Sequence, residues 1–226
     1  MLKSLLNLFY PKVCCICGQD LSTSEEVFCI SCELKLPFTR YWAYHHNPMQ
    51  KTLKARCNVD LASAMFYFNQ GTSIQTLLHE LKYRKNKDVG LILGRKLAML
   101  LQMNFKLANV RYIIPVPIHP HKRLLRSYNQ SEVIIDGMLE KWPQAALLDC
   151  LSRPQKSSSQ TKKSRMARWE NVKSIFELSL PNPLEGEHVL LVDDVFTTGA
   201  TIEACVWALR KGNPRQISVA TLACAE

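Results

Sequence analysis

Two adjacent carboxylates, Asp193 and Asp194, separate a run of apolar residues from a turn rich in threonine. The apolar run, residues 189–192, is typical of a buried parallel strand, and apolar spacing over residues 201–209 predicts a helix. The turn is therefore expected at the carboxyl end of a strand, where unpaired N–H groups at a helix start bind anions. The residues predicted to hold a phosphate there are Thr197, Thr198, Gly199, Ala200 and Thr201.

Two acids beside a phosphate need a partner that donates hydrogen bonds or carries positive charge. The vicinal hydroxyls of a pentose donate to carboxylates, and a hard divalent ion such as Mg²⁺ binds them. Asp193 and Asp194 are therefore predicted to bind the sugar of a phosphorylated pentose. The plainer alternative is a surface turn that ends in an ordinary helix N-cap.

Residues 193–201 also resemble the phosphoribosyl pyrophosphate motif of type I phosphoribosyltransferases. The resemblance implies that Asp193 and Asp194 bind the ribose hydroxyls, that the threonine turn binds the 5-phosphate, and that Mg²⁺ accompanies the ligand. If the protein catalyses transfer, the candidate catalytic residues are these two acids together with Arg123 and Arg126, whose charge would stabilise the leaving pyrophosphate.

Two C-x-x-C pairs, eleven residues apart, lie near the N-terminus. This spacing presents four thiolates to a tetrahedral Zn²⁺, and so small an element depends on the metal for its folding free energy. Cys15 is interpreted as a bystander, and His45 and His46 are weaker alternative ligands. The predicted zinc ligands are Cys14, Cys17, Cys29 and Cys32.

The composition favours a polyanionic partner. Lysine and arginine outnumber the acids by 29 to 19, which gives a formal net charge of +10, and such a surface attracts nucleic acids and phosphorylated ligands. Residues 41–44 and Trp169 supply aromatic rings near basic residues, on which single-stranded bases could stack. Nine cysteines without a secretory signal favour a reducing, cytoplasmic location, and no apolar run is long enough to span a membrane.

Strand and helix patterns alternate along the chain, which indicates an α/β fold with a parallel sheet flanked by helices. The expected division is an N-terminal zinc-finger module over residues 1–50 and a phosphoribosyltransferase-like domain over residues 51–226. Residues 153–171 are polar and basic, and they predict a mobile loop of the kind that often covers a site.

Taken in order, the cysteine pairs, the segment Ile-Pro-Val-Pro-Ile-His-Pro at residues 114–120, the segment Arg-Ser-Tyr-Asn-Gln at residues 126–130 and the acid–threonine motif resemble the ComF/GntX family. The resemblance implies a zinc module fused to a type I phosphoribosyltransferase-like domain, and a role in natural competence and DNA utilisation. Ser127 departs from the family pattern, which has glycine there. If the glycine needs a positive φ, serine strains or reshapes the loop.

Three functions remain open from the sequence. The preferred one is a cytoplasmic protein of DNA uptake or utilisation that binds phosphoribosyl pyrophosphate and single-stranded DNA, with DNA-uptake or recombination proteins as further partners. The second is an active phosphoribosyltransferase that releases pyrophosphate, although no element that recognises a nucleobase is evident. The third is a regulator that senses a metabolite in the same pocket.

Overall fold

A computed structural model of the chain describes residues 12–44, 46–154, 175–180 and 182–225. The expected loop over residues 153–171 lies outside this part except for Arg153 and Pro154, as do His45 and Trp169. In the described ranges the N-terminal region contains helices α1 (Ile30–Glu33) and α2 (Pro48–Cys57). The predicted domain boundary at residue 50 falls inside α2, and the two-domain division stays a prediction.

The remaining elements follow in chain order. They are β1 (Leu61–Phe68), α3 (Ser73–Tyr83), α4 (Lys87–Gln102), β2 (Val110–Pro115), α5 (Pro120–Arg126), α6 (Gln130–Leu139), β3 (Ala146–Leu147), β4 (Leu151–Ser152), β5 (Glu177–Leu178), β6 (His188–Phe196), α7 (Ala200–Arg210) and β7 (Gln216–Ala225). Short 3₁₀ turns cover Phe105–Leu107 and Asn182–Leu184.

The main sheet has the order β1-β7-β6-β2-β3, and every neighbouring pair in it is parallel. β4 and β5 pair separately as a short antiparallel ribbon. The predicted α/β class with a parallel sheet is confirmed. None of the helices in the described ranges is long and apolar enough to cross a bilayer.

Both faces of the sheet are covered by helices. Successive residues of β6 alternate between two buried clusters: Leu190 and Val192 pack with α3, α4 and α6, whereas Val189 and Leu191 pack with α2 and α7. This arrangement explains why residues 189–192 of the strand are all apolar, because neither face meets water there.

The connections leave β2 and β6 in opposite directions. The chain passes from β2 outward to β3 on one side, and from β6 outward to β7 on the other. Between two such strands the crossovers diverge and open a crevice at the carboxyl ends, which is where open α/β sheets bind ligands. The acids Asp193 and Asp194 lie at this position, in the last residues of β6.

A short helix follows β2 along the chain. Residues 120–126 form the helix α5, with Pro120 at its first position and the ring nitrogen of His119 accepting a hydrogen bond from the His121 amide at 3.2 Å. A proline at the first position costs a helix no hydrogen bond. The sequence therefore contains a helix start signal at Pro120. Few apolar residues follow it, so the sequence shows no clear helical periodicity there.

Candidate ligand cleft and metal cluster

The two acids at the end of β6 have different surroundings. Asp193 points inward, where its Oδ1 accepts hydrogen bonds from the Asp194 amide at 2.8 Å and from the Ser131 hydroxyl at 3.3 Å. Burial and the neighbouring Asp194 carboxylate raise the pKa of Asp193 to about 7. Near neutral pH the inner acid is therefore partly protonated, and the pair bears less than two negative charges.

The outer acid has a cationic partner from a distant helix. Lys82 Nζ, near the end of α3, is 2.8 Å from Asp194 Oδ2. The end of α3 is held in place by Tyr128, whose buried hydroxyl donates to the Leu81 carbonyl. The sequence alone does not reveal this contact, because the tertiary position of α3, not its periodicity, brings the ammonium group to the acids.

The threonine turn has the geometry of an anion cradle. Gly199 adopts φ +80° and ψ −2°, and α7 begins at the next residue. A Cβ at Gly199 would stand 2.8 Å from the Phe196 ring, so glycine is required both for backbone conformation and for space. A recess of about 30 Å³ is lined by residues of the turn, including Thr197, Thr198 and Thr201. The first N–H groups of α7 have no partners within the helix and are available to a phosphate.

A cleft of about 250 Å³ joins the acids to this turn. Its lining includes Asp193, Asp194, Thr197 and Thr201, together with residues of the segment after β2 and of α5. Together with Lys82, the cations that line the cleft are Lys122, Arg126 and Arg153. The cleft therefore combines a polar turn and two acids with a concentration of positive charge.

Arg123 and Arg126, the two arginines predicted to be catalytic, both lie on α5 but have different partners. Arg126 lines the cleft, and its Nη1 donates to Gln130 Oε1 at 2.7 Å while its guanidinium lies 5.1 Å from the ring centre of Tyr83. Arg123 points to Glu132, with Nη1 3.1 Å from Oε1, and does not line the cleft. A role for Arg123 at the ligand stays a prediction that this geometry does not support.

Ser127 ends α5 in the left-handed region, with φ +70° and ψ −3°. The position therefore does require a positive φ, which glycine adopts without strain and serine does not. The loop nevertheless closes, since Asn129 donates to the Val116 carbonyl at 3.0 Å and caps α6 by accepting from the Ser131 amide. Ser131 is thereby fixed beside Asp193. Sequence reasoning missed Ser131, although it directly follows the Asn-Gln signature.

The four predicted zinc ligands form one cluster. The Sγ atoms of Cys14, Cys17, Cys29 and Cys32 all lie within 4.8 Å of one another, and Cys17 Sγ is 3.8 Å from Cys29 Sγ. Thiolates about 2.3 Å from a tetrahedral Zn²⁺ are about 3.8 Å apart, so the donor set and its dimensions fit this ion.

The surroundings favour a thiolate at Cys14, whereas burial and hydrogen bonds with the other cysteines raise the pKa of Cys32. Burial raises the pKa of Cys14, but backbone hydrogen bonds from Cys17, Cys29 and Ile16 outweigh it and lower that pKa to about 6. Cys15 is different: burial and the charge of Cys14 raise its pKa to about 12. Cys15 is outside the cluster, in agreement with its interpretation as a bystander.

The cysteine cluster is fixed to the rest of the protein by packing and charge. Phe28, a buried residue directly before Cys29 in the sequence, belongs to the same apolar core as α4 and α6. Arg95 on α4 bonds to Glu26 at 2.7 Å, and Lys96 bonds to Glu33. A metal held by the cysteines would therefore stabilise a region continuous with the α/β core.

Part of the chain matches a known domain family. The family described as "Phosphoribosyl transferase domain" matches residues 152–225, which include β6, the threonine turn and α7. Among solved structures, the glutamine phosphoribosylpyrophosphate amidotransferase of B. subtilis, complexed with ADP and GMP, aligns with a TM-score of 0.45 and 19% identity over 64% of this chain and 30% of that one.

Several relatives match this chain over most of its length. The DNA utilization protein YhgH of Escherichia coli (strain K12) is 26% identical over 212 residues, covering 92% of this chain and 88% of that protein. Competence protein F of Haemophilus influenzae is 25% identical over 97% of this chain and 99% of its own. The chain is similar to proteins of the ComF family. A third relative, competence protein ComFC of Bacillus subtilis, is 29% identical over 49% of this chain and 43% of its own.

The resemblance to the ComF family predicted from the sequence is thus confirmed, and so is a phosphoribosyltransferase-like fold with a four-cysteine cluster. The structure brings Asp193, Asp194, Thr197 and Thr201 into one cleft with Arg126. It adds Lys82, Ser131, Lys122 and Arg153 to that cleft or its edge.

Proposed function

We propose that this ComF-like protein binds phosphoribosyl pyrophosphate, with Mg²⁺, in the cleft at the end of β6, and that it acts in the cytoplasm in DNA uptake or utilisation. The observation that carries the proposal is the pairing of two acids with an anion cradle in one cleft of about 250 Å³. The threonine turn would bind the 5-phosphate, and Asp193 and Asp194 would accept from the ribose hydroxyls.

The basic wall of the cleft suits the other end of the ligand. A diphosphate at the anomeric carbon carries several negative charges, and Lys122, Arg126 and Arg153 line the cleft where such charges would be neutralised. Carboxylate and diphosphate oxygens are the ligands that Mg²⁺ prefers. When bound, Mg²⁺ would compensate the charge of the diphosphate, while the protein's own residues orient the sugar.

Calorimetry tests the binding. Phosphoribosyl pyrophosphate titrated with Mg²⁺ into the full chain should release heat with one site per chain, and ribose 5-phosphate should bind more weakly because it lacks the diphosphate. The double substitution Asp193→Asn with Asp194→Asn should abolish the signal, whereas Asp149→Asn, an exposed acid outside the cleft, should leave it intact. No heat with the unsubstituted protein contradicts the proposal.

Single-stranded DNA is the second proposed ligand. The net charge of +10 favours a polyanion, and the names of the relatives from E. coli and H. influenzae refer to DNA utilization and competence. Further partners from DNA uptake or recombination fit the same role. Filter binding over a range of salt concentrations tests the DNA contact, because phosphate contacts make affinity fall steeply as salt rises. Absent or salt-insensitive binding contradicts it.

Phosphoribosyl transfer is a second candidate activity. The observation that favours it is that Arg126 and Lys122 line the same cleft as the acids, where positive charge would stabilise a leaving pyrophosphate. Incubation of the protein with labelled phosphoribosyl pyrophosphate, nucleobases and oligonucleotides should then release pyrophosphate above the blank. Binding without release would leave the protein a ligand-binding member of the family.

A further inference from the structure

A second and larger cavity lies on the other side of the threonine turn. Its volume is about 730 Å³, within the ~300–1,000 Å³ typical of small-molecule sites. Thr197 lines both this cavity and the ligand cleft, so the two spaces are separated only by the turn itself. Nothing in the proposed binding of phosphoribosyl pyrophosphate uses this cavity.

Two aromatic rings form part of the cavity wall. Tyr41 and Tyr67 are half-buried, with ring centres 5.8 Å apart and planes at 86°. In this arrangement one ring presents its edge to the other, and both rings line the cavity, which suits a planar heterocycle. The Tyr67 amide donates to the Pro37 carbonyl at 2.9 Å, which fixes the backbone of Tyr67 at the end of β1.

A guanidinium group supplies the polar part of the wall. Arg56, near the end of α2, donates from Nη1 to the Thr198 carbonyl at 2.6 Å. Arginine has five N–H donors, so this bond holds the guanidinium at the rim while other donors remain for an anion. The buried Met49 adds an adaptable apolar surface below it.

We propose that this cavity binds one nucleotide unit, with its base against Tyr67 and Tyr41 and its phosphate at Arg56. Aromatic faces bind bases of any sequence, and an adjacent cation binds the backbone; this is how single strands are held without sequence readout. The proposal rests on the proposed function for the polymer, single-stranded DNA, and places that strand beside the phosphoribosyl pyrophosphate cleft. A free nucleotide has the same chemistry and is the other possible source.

The experiment measures fluorescence anisotropy of a labelled oligothymidylate of about ten nucleotides, and competition by thymidine 5′-monophosphate, with the full chain. Stacking contributes about 1–3 kcal/mol per base, so Tyr67→Leu should weaken binding about tenfold, whereas Tyr67→Phe, which keeps the ring, should bind normally. Phe105→Leu is the control, because Phe105 is a 76% exposed ring that does not line the cavity.

Arg56 is tested against its neighbour on the same helix. Arg56→Gln should remove about one phosphate contact, and the slope of log affinity against log salt concentration should fall by about 1. Lys54 is an exposed residue outside the cavity, so Lys54→Gln should change this slope less. If the monophosphate competes as well as the oligonucleotide does, the occupant is a free nucleotide; if only the oligonucleotide binds, it is a strand.

The outcomes separate this proposal from the previous one. Normal binding by Tyr67→Leu, or no binding of either nucleotide probe by the unsubstituted protein, overturns the cavity assignment even if phosphoribosyl pyrophosphate binds. Conversely, nucleotide binding lost with Tyr67→Leu supports it even if phosphoribosyl pyrophosphate gives no heat. Calorimetry with phosphoribosyl pyrophosphate on Tyr67→Leu shows whether the variant is folded, and where that ligand does not bind, the unfolding transition provides the same check.

Discussion

Lys82 Nζ lies 2.8 Å from Asp194 Oδ2, and this contact joins the end of α3 to the end of β6 across the mouth of the ligand cleft. The two side chains are only 22% and 14% exposed, so water screens the pair less than it would on an open surface. In the free protein the ammonium group of Lys82 therefore pairs with the carboxylate of Asp194, at the place where a divalent cation or a sugar hydroxyl would bind.

Replacing this lysine should expose the acids to metal. In Lys82→Met the carboxylates lose their compensating charge, and the affinity of the free protein for Mn²⁺, which takes the same oxygen ligands as Mg²⁺, should rise about tenfold. Electron paramagnetic resonance of free Mn²⁺ measures this without any sugar ligand. Lys122→Met also removes one positive charge from the cleft, but it leaves the Lys82–Asp194 ion pair intact. It should therefore raise the affinity for Mn²⁺ less than Lys82→Met does. Equal affinity in Lys82→Met and the unsubstituted protein would contradict the prediction.

The buried Asp193 should make stability depend on pH. Its pKa is raised to about 7 by burial and by Asp194, above the value of about 3.9 in an unfolded chain. Between these values the folded state binds more protons than the unfolded state, so stability should fall as pH rises from about 4 to 7. Asp193→Asn removes the ionisation and should stabilise the protein at pH 8 by up to roughly 4 kcal/mol, with little effect at pH 4.

Urea unfolding at these two pH values measures the effect, and Asp149→Asn, an exposed acid outside the cleft, is the control. An equal stability change at both pH values would show that Asp193 acts by packing and not by titration.

The parts of the site that the sequence predicted are local. The acids, the threonines and Gly199 lie within nine residues, residues 193–201, and the pattern of strand, turn and helix places them without tertiary information. The cysteine cluster is similarly local, because each C-x-x-C pair forms one turn and the metal geometry requires that the turns meet. Both predictions depend on residues that lie close together in the sequence.

The parts that were missed depend on packing between distant segments. Lys82 and Asp194 are separated by 112 positions in the chain, and their contact follows from where α3 docks on β1 and α4. Arg123 and Arg126 are both basic residues of one short helix, yet only Arg126 turns to the cleft because Glu132 on α6 holds the other. Periodicity assigns a helix but not the partner that each of its faces will meet.

Metal content should separate the cluster cysteines from Cys15. Cys29→Ser removes a buried ligand of the cluster and should lose bound zinc, with a lower unfolding midpoint, because the region around the cysteines depends on the metal for folding free energy. Cys15 lies outside the cluster, so the Cys15→Ser variant should retain one zinc per chain. Elemental analysis of purified protein gives the ratio; zinc loss in Cys15→Ser would make Cys15 a ligand.

Ser127 offers a test of backbone strain beside the cleft. Its φ of +70° is in the left-handed region, where an L-residue costs about 1–2 kcal/mol relative to the right-handed helix. Ser127→Gly relieves this strain and should stabilise the protein by about 1 kcal/mol, less whatever entropy glycine adds to the unfolded chain. Ser127→Ala keeps the Cβ and should give no such gain.

Urea unfolding of the two Ser127 variants separates strain from hydrogen bonding. If the serine hydroxyl contributed a stabilising bond, both variants would lose it, and Ser127→Ala would be less stable than the unsubstituted protein. If φ alone matters, only the glycine variant gains. Because Asn129 and Ser131 follow two and four residues later and hold Val116 and Asp193, the glycine variant should also keep its affinity for a sugar-phosphate ligand; a loss would show that the strained turn positions Ser131 against the inner acid.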